Sequence, residues 1–403
     1  MSGQGRVLVA GAGIAGLATA IALRDAGFDV TVFERAADPL GAAGSALGLH
    51  PAAVLALRSL GVDGPVVEGG AEVDRWELQD WGGRRIGGWP QTKVSEAFGA
   101  PSITVPRALL HQALHAAFPE GQLRRGTTVA GYRETGDGVE LLLADGTRQS
   151  GHLLIGADGL RSAVRRQMHG DTPLRPAGFT AWRAVGDKVV GSDPVPTARQ
   201  VLGAGATFGS WPLPGGRTYW VATLADEEQE AAGLTRPPDS PHTPEEHARL
   251  ADAFRTAPSP AAGLIEATTP DRVVRTPILD RPPQAGWSTA RTLLVGDAAH
   301  PMVPTTGQGG GQALLDSVAV GNVLRGADLR DHHGLAVRLH QFEEQRFPVT
   351  AKVAQAAWHQ GRIHHERDPE QVALRDRRLH ATTEAEWLSR LGLGPASTAA
   401  RSA

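Results

Sequence analysis

The segment Arg6–Arg35, RVLVAGAGIAGLATAIALRDAGFDVTVFER, constrains the fold of this chain more than any other. Its apolar start is typical of a buried parallel strand. Gly11, Gly13 and Gly16 follow at G-x-G-x-x-G spacing, where glycines allow a tight turn, a close backbone approach to a pyrophosphate, and close packing of helix on strand. A helix is predicted from near Ile14, with a second strand after it. The segment therefore predicts a nucleotide-binding βαβ unit.

The acid at the end of the second strand narrows the choice of nucleotide. Glu34 lies 18 positions after Gly16, close to the offset of about 20 residues at which an acid binds a ribose hydroxyl. An acid there favours an unphosphorylated 2′-hydroxyl, so FAD or NAD fits better than NADP. The pyrophosphate would lie at the positive end of the helix. The predicted contacts are Gly11, Gly13, Ile14, Ala15, Gly16, Glu34 and Arg35.

A second glycine-rich segment, Thr292–Asp316, reads TLLVGDAAHPMVPTTGQGGGQALLD. An apolar strand ends at Asp297, and ligands bind at this end of the strands in open α/β sheets. A run of glycines then places bare amides at the start of a helix, where negative charge on a reduced flavin ring is stabilised. A simple NAD dehydrogenase has no need of this second element, so the pair favours FAD. The contacts predicted here are Asp297, Pro304, Gly307, Gly309 and Gly310.

These segments resemble the single-component FAD-dependent aromatic hydroxylases, the group of p-hydroxybenzoate hydroxylase and salicylate hydroxylase. Three motifs carry the resemblance: the glycine turn, GDAAHP at Gly296–Pro301, and LIGADGLRS at Leu154–Ser162. The similarity runs from about Arg6 to about Val353. One departure is the loop at Gly307–Asp316, where a glycine and a leucine replace the common Asn and Glu, at Gly311 and Leu315.

The resemblance implies further site residues. Asp158 and Arg161 would assist the binding of FAD and the nicotinamide, and Arg107 would reach the FAD phosphates. Asp297 would bind the ribityl chain of the flavin. The stretch Gly44–Pro51, which contains Gly48, would run beside the ring.

The resemblance also implies a reaction. NADH or NADPH, bound transiently near Asp158, would reduce FAD, and O₂ would be captured as a flavin C4a-hydroperoxide. One oxygen atom would then enter an aromatic or polycyclic small molecule. A flavin-dependent halogenase, an oxidase, a non-enzymatic flavin- or ligand-binding protein and a plain NAD dehydrogenase remain as alternatives, although the W-x-W-x-I-P motif of flavin halogenases is absent. No residue is assigned a catalytic role.

Composition excludes several other classes of protein. The chain has 403 residues, a formal net charge of −3 and no cysteine. Disulfides and thiolate metal sites are therefore excluded. The slightly negative charge gives no indication of nucleic-acid binding. The histidines show no metal-binding spacing. The first strand begins almost at the N-terminus and no stretch is long and apolar enough to span a bilayer. These features predict a cytoplasmic monomer or homodimer.

The motifs and turns predict an α/β fold in which a Rossmann-like FAD-binding domain is interleaved with a mostly antiparallel β-sheet substrate domain, followed by C-terminal helices. Asp226–Glu246 is predicted to be a surface loop, and Leu335–Arg362 a long helix interrupted at Pro348. Glu384–Leu391 is predicted to be a short helix and Ala396–Ala403 to be disordered. The expected domains are 1–75, 100–175 and 270–355 for FAD, 76–99 and 176–269 for substrate, and 356–403 for a helical tail.

Four residues are candidates for the substrate pocket. Trp211 and Tyr219 lie on adjacent predicted strands and would sandwich a flat substrate, with ordinary sheet packing as the alternative. Arg183 would pair with a substrate acid or serve as a cross-strand charge. His50 follows the predicted ring-side stretch and would handle a phenol proton, unless it is only a turn histidine.

Overall fold

The computed structural model of the protein describes residues 5–38, 45–187, 195–237 and 240–390. The strands are β1 (Arg6–Ala10), β2 (Asp29–Phe33), β3 (Ala46–Leu49), β4 (Ala71–Glu72), β5 (Arg75–Asp80), β6 (Arg85–Pro90), β7 (Ile103–Pro106), β8 (Leu123–Arg124), β9 (Val129–Glu134), β10 (Val139–Leu143), β11 (Arg148–Gly151), β12 (Leu153–Gly156), β13 (Arg175–Gly186), β14 (Thr197–Leu202), β15 (Ala206–Leu213), β16 (Arg217–Ala225), β17 (Val274–Asp280) and β18 (Thr292–Leu294).

The helices alternate with these strands in the first half of the chain and dominate its end. They are α1 (Ile14–Asp25), α2 (Pro51–Ser59), α3 (Asp63–Glu68), α4 (Gln91–Phe98), α5 (Arg107–Ala117), α6 (Ala163–His169), α7 (Asp226–Ala231), α8 (Pro244–Ala253), α9 (Ala261–Glu266), α10 (Gly309–Leu324), α11 (His332–His364), α12 (Pro369–Ala381) and α13 (Glu384–Arg390). No helix within the described residues is long and apolar enough to cross a membrane.

A five-stranded parallel sheet in the order β18-β12-β1-β2-β8 forms the centre of the first core. The apolar run Val7–Val9 is fully buried there, as expected for a strand covered on both faces. The carboxyl ends of parallel strands lie at one edge of a sheet. The segments after β1, β2, β12 and β18 therefore meet, and these are the segments that carry the predicted cofactor motifs.

A seven-stranded sheet in the order β17-β13-β16-β15-β14-β5-β6 forms the second core, and only its β14–β5 pair is parallel. One face packs on α8 and α9 through fully buried side chains such as Trp182, Trp220 and Phe254. The other face lies toward β3 and the segment before α10, where Tyr219 packs with Ala46. Two three-stranded sheets, β11-β10-β9 and β3-β7-β4, complete the fold.

The α/β fold class is confirmed, and two local predictions are wrong. The helix predicted to break at Pro348 runs unbroken from His332 to His364, because contacts on both sides of the proline hold it. Arg346 binds Asp316, Phe347 packs on Trp287, and the Thr350 hydroxyl binds the carbonyl of Arg346.

The other wrong prediction is the surface loop at Asp226–Glu246. The segment contains α7 and the start of α8, with Leu234 and Glu246 buried. Pro237 and Pro241 do lie in irregular structure between the two helices, and Pro244 is the first residue of α8, where proline is favoured, so the prediction fails only at the two ends of the segment. The short helix predicted near Glu384 is present as α13, whereas Ala396–Ala403 lies outside the described residues. The domain boundaries stay a prediction.

Candidate cofactor and substrate site

The glycine turn after β1 lies in direct contact with the segment after β12. Gly11 has a φ of 100°, and a Cβ added to it would lie 2.5 Å from the carbonyl oxygen of Ala157. A Cβ on Gly16 would lie 1.9 Å from the carbonyl oxygen of Gly11. Beside Gly13, in contrast, a Cβ would meet no atom within 4 Å. The first and third glycines therefore allow close packing, and the second borders open space.

That open space lies at the start of α1, as binding of a pyrophosphate requires. Gly13, the residue before the helix, makes no side-chain hydrogen bond to the first turn. The backbone amides of Ile14, Ala15 and Gly16 are therefore directed toward the open space. Arg35 is exposed beyond the end of β2. The geometry thus fits the adenine-side phosphates of a dinucleotide.

Glu34 lies at the same edge and is held in place from both sides. Its carboxylate accepts hydrogen bonds from the backbone amides of Ala12 and Ala36, each at 2.8 Å. The carbonyl of Ala12 is in turn 2.6 Å from Nε2 of the buried His111 on α5. His111 is not among the residues predicted from the sequence, since nothing local links a histidine in a helix to a turn about 100 residues earlier.

The second motif meets the first at Gly296, which follows β18. Its φ is 59°, and an added Cβ would lie 2.6 Å from the Cβ of Ala15 in α1. Asp297 follows with an exposed side chain, yet burial by the surrounding protein raises its pKa, against the lowering effect of His300 and Arg107. Both observations describe a carboxylate on the floor of a cleft, open to solvent on one side. Arg107, the exposed first residue of α5, lies near enough to act on this charge.

A buried ionic network anchors this part of the cleft. Asp316 of α10 is fully buried and accepts hydrogen bonds from the Gly296 amide at 3.0 Å, from Nε2 of His300 at 2.6 Å and from Nε of Arg346 at 2.7 Å. Burial would raise the pKa of Asp316, but these partners together hold it below its usual value. The network ties α10 and α11 to the loop that presents Asp297.

The start of α10 lies beside strand β3, and we call the place where they meet the slot, because the sequence predicts the flavin ring there. The first turn of α10 consists of glycines without a side-chain cap, and a Cβ on Gly310 would lie 3.7 Å from Leu47. Exposed Gly48 borders the same slot. The predicted stretch beside the ring is thus mainly strand β3, and Gly44 lies outside the described residues. Pro304 and Gly307 flank the 3₁₀ turn that precedes α10.

His50 lies at one edge of the slot, between the end of β3 and the 3₁₀ turn before α10. Its imidazole hydrogen-bonds to the backbone of Thr306, and burial lowers its pKa although that bond opposes the shift. Its side chain is nevertheless exposed, so it also lies on the wall of the cleft. His50 is therefore a neutral imidazole at neutral pH, and its role toward a substrate stays a prediction.

Asp158 lies at the same edge but is directed toward α6. Its carboxylate accepts hydrogen bonds from the Ser162 hydroxyl and from the amides of Ala163 at 2.7 Å and Val164 at 3.3 Å. Burial raises its pKa against these bonds. Arg161 is exposed beside it. The observed contacts of Asp158 cap a helix, and its role toward FAD or a nicotinamide stays a prediction.

The remaining pocket candidates lie together on the cleft side of the seven-stranded sheet. Trp211 and Tyr219 are directly paired on β15 and β16, with ring centroids 5.6 Å apart. Burial raises the pKa of the Tyr219 phenol, while hydrogen bonds with Arg183 and the backbone of Ala46 oppose the shift. Arg183 is partly exposed. It therefore orients the phenol and presents a cation to the cleft.

The sequence profile of the FAD binding domain family matches residues 4–357. The chain belongs to this family. Aurachin C monooxygenase/isomerase of Stigmatella aurantiaca is 39% identical over 318 residues, which cover 79% of this chain and 80% of the relative. 3-Amino-4-hydroxybenzoate 2-monooxygenase of Streptomyces cremeus is 33% identical, with 95% and 94% covered.

Solved structures agree with this assignment. HpxO of Klebsiella pneumoniae, solved with FAD and uric acid, has a TM-score of 0.84 at 27% identity, with 97% of each chain covered. A salicylate hydroxylase in complex with its substrate has a TM-score of 0.77 at 22% identity, covers 98% of this chain and 97% of its own, and shows the shared fold. The predicted family, FAD as the cofactor and the class of FAD-dependent monooxygenase are thereby confirmed.

Proposed function

We propose that this protein inserts one atom of O₂ into an aromatic or polycyclic small molecule, with NADH or NADPH as reductant and a flavin C4a-hydroperoxide as oxidant. The observation that carries the proposal is the meeting of three distant motifs at one sheet edge. Gly11 contacts Ala157, and Gly296 contacts Ala15. Relatives named for oxygenation of hydroxybenzoates share most of their length with this chain.

Different residues at this edge would bind different parts of FAD. The amides at the start of α1, with Glu34 and Arg107, would hold the ADP half, and Asp297 would hold the ribityl chain. The glycines that start α10 would lie against the pyrimidine side of the ring, where a helix N-terminus stabilises negative charge. Bound FAD supplies the reduction and oxygen chemistry, which explains why no strong acid–base constellation is needed from the protein.

The substrate would lie between this slot and the seven-stranded sheet. Its aromatic ring would be covered by Trp211 and Tyr219, and the Arg183 cation would pair with a phenolate or carboxylate. Neutral His50 would accept the proton of a phenol at the opposite wall. The sheet also shields the reacting atoms from water, which suppresses loss of the oxidant as peroxide.

Isotope labelling tests the proposed reaction. A panel of phenols, aminobenzoates and hydroxyquinolines is screened for accelerated NADH or NADPH oxidation by the FAD-loaded enzyme. The best compound is then turned over under ¹⁸O₂ with product analysis by mass. We expect slow oxidation alone, faster oxidation with substrate, and one ¹⁸O atom in the product, the second leaving as water. Label taken from water, a halogenated product, or dehydrogenation without oxygen insertion would contradict the proposal.

A second expected result concerns Asp297. Asp297→Ala removes one or two charge-assisted hydrogen bonds to the flavin, each contributing about 1.5–3 kcal/mol. FAD affinity, measured by flavin fluorescence during titration of apoprotein, should fall at least tenfold. The melting temperature of the apoprotein should stay close to that of the parent. Asp297→Asn, which keeps the shape and part of the hydrogen bonding, should lie between the two, and unchanged affinity in Asp297→Ala would show that this aspartate is not a flavin ligand.

A further inference from the structure

A row of aromatic side chains extends the cleft wall across the seven-stranded sheet. Trp211 lies 5.6 Å from Tyr219 and 6.0 Å from Trp76, between ring centroids. Trp76 stacks on Trp89 at 5.8 Å with an interplanar angle of 20°, and Trp89 lies 5.2 Å from Trp387 of α13. We call these five residues the aromatic row.

Small residues between the strands make the row continuous. Trp76 is paired with Ala198, a fully buried residue on β14, so no larger side chain separates Trp76 from Trp211. The ring of Trp211 extends along its own strand and covers Gly209. A Cβ on Gly209 would lie 2.3 Å from that ring, so glycine leaves the space that the ring occupies. At the other end, a Cβ on Gly87 would be 3.3 Å from the ring of Trp387. The indoles therefore form one broad apolar surface.

The row begins inside the proposed substrate site. Its first member, Tyr219, hydrogen-bonds with Arg183 and with Ala46 of β3. All four tryptophans of the row are only partly buried, whereas Trp182 and Trp220 on the opposite face of the sheet are fully buried. The protein core covers Trp182 and Trp220 completely. Trp76 and Trp387 also pack against a small apolar cluster, and Trp211 packs beside Tyr219, but each of the three keeps part of its surface exposed. A ligand extending from the cleft would cover that exposed part.

The ends of the row have different chemistry. The cleft end carries the Arg183 cation and the Tyr219 hydroxyl. Within the row, the indole nitrogen of Trp89 donates to Gln91 at 2.7 Å, so this polar atom is already satisfied. Beyond the far end, an exposed pair between Lys93 and Glu384 marks the return to solvent. A ligand that follows the row would be polar at the cleft end and apolar along the indoles.

We propose that the substrate is an amphiphilic aromatic compound whose ring occupies the cleft and whose hydrocarbon substituent lies along the aromatic row. This rests on the proposed function for the position of the ring. Each methylene that leaves water gains a fixed increment of binding free energy, so a long substituent adds affinity that a single-ring substrate lacks. Trp76, Trp89 and Trp387 are then specificity residues, remote from the reacting atoms.

Binding of 4-n-alkylphenols to the FAD-loaded protein tests this without turnover. Affinities of the methyl, heptyl and dodecyl compounds are measured by calorimetry, in the absence of NADH and NADPH. We expect Kd to fall about two- to fourfold per added methylene. Trp89→Leu and Trp387→Ala should weaken dodecylphenol binding about tenfold and leave methylphenol binding within twofold. Trp387 lies on α13, outside the seven-stranded sheet, so this variant keeps the test available if Trp89→Leu fails to fold.

Trp81→Leu is the matched control. Trp81 is also a partly exposed tryptophan, in the turn after β5, but it packs on Phe254 on the opposite face of the sheet, so this variant should keep the parent's dependence on chain length. A Kd independent of chain length, no binding by any alkylphenol, or equal losses in Trp81→Leu and Trp387→Ala would overturn the proposal. Because the readout is binding, failure of oxygen insertion would refute only the proposed function.

Discussion

Asp316→Ala is expected to lower the free energy of unfolding by about 3–5 kcal/mol and to abolish retention of FAD. The substitution leaves the Arg346 guanidinium buried without its carboxylate, and removal of one partner from a buried pair costs about this much. It also frees the Gly296 amide and His300, which that carboxylate holds. The loop that presents Asp297 would then lose its position. Urea denaturation of the apoprotein and FAD titration measure the two effects.

Two comparison variants sharpen this test. Asp252 pairs with Arg255 at 2.9 Å in an exposed position, and Asp252→Ala should change stability by less than about 1 kcal/mol. The double replacement Asp316→Leu with Arg346→Met removes both charges, and it should be less destabilising than Asp316→Ala alone. If Asp316→Ala were as mild as Asp252→Ala, the network would not hold the loop in place.

Acid should destabilise the protein through two neighbouring histidines at the end of α11. Burial lowers the pKa of His364 from 6.5 to about 3, and that of His365 to about 4. Both are neutral in the folded protein at pH 5, whereas the unfolded chain binds a proton at each below pH 6.5. Their contribution to stability is therefore present above pH 6.5 and is lost as pH falls toward the folded pKa values. At pH 5 the loss is about 2 kcal/mol for each histidine.

The slope of stability against pH identifies these groups. His365 stacks on Phe179 at 3.9 Å and binds the Thr223 hydroxyl at 2.7 Å, so His365→Phe keeps the stacking and removes the titration. Its free energy of unfolding should fall less steeply between pH 6.5 and pH 5 than that of the parent, whatever its absolute stability. His340, which is 66% exposed, provides the control, since His340→Gln should leave the slope unchanged. Equal slopes in all three proteins would show that His365 is not buried in the neutral form.

The family, the cofactor and the fold class were predictable from sequence because their determinants are local. The spacing of Gly11, Gly13 and Gly16 sets the shape of one turn. Between a strand and a helix, a turn of this shape is typical of nucleotide binding. Glu34 and Asp297 each follow a buried strand. Once both strands belong to one parallel sheet, their ends meet at the same edge. The family, the cofactor and the fold class follow from these few positions.

The pairing of Trp76 with Trp89 was also within reach of sequence reasoning. A turn containing Gly82 and Gly83 lies between them, which favours a hairpin that sets the two indoles opposite each other. The extension of this pair to Trp211 and Trp387 could not be predicted from the sequence. It depends on β14 running parallel beside β5, and on α13, which packs against β6 although it lies about 300 residues later in the chain.

What the tertiary structure alone decided are contacts between residues far apart in the chain. His111 reaches the carbonyl of Ala12, and Arg346 reaches Asp316, only after helices from different segments pack together. The same packing keeps α11 helical through Pro348, where the local preference is to break. Local pattern thus determined which pieces form and which cofactor they bind. Long-range packing determined how the cleft is anchored and what surface lies beside it, because those free energies depend on neighbours that no short stretch of sequence contains.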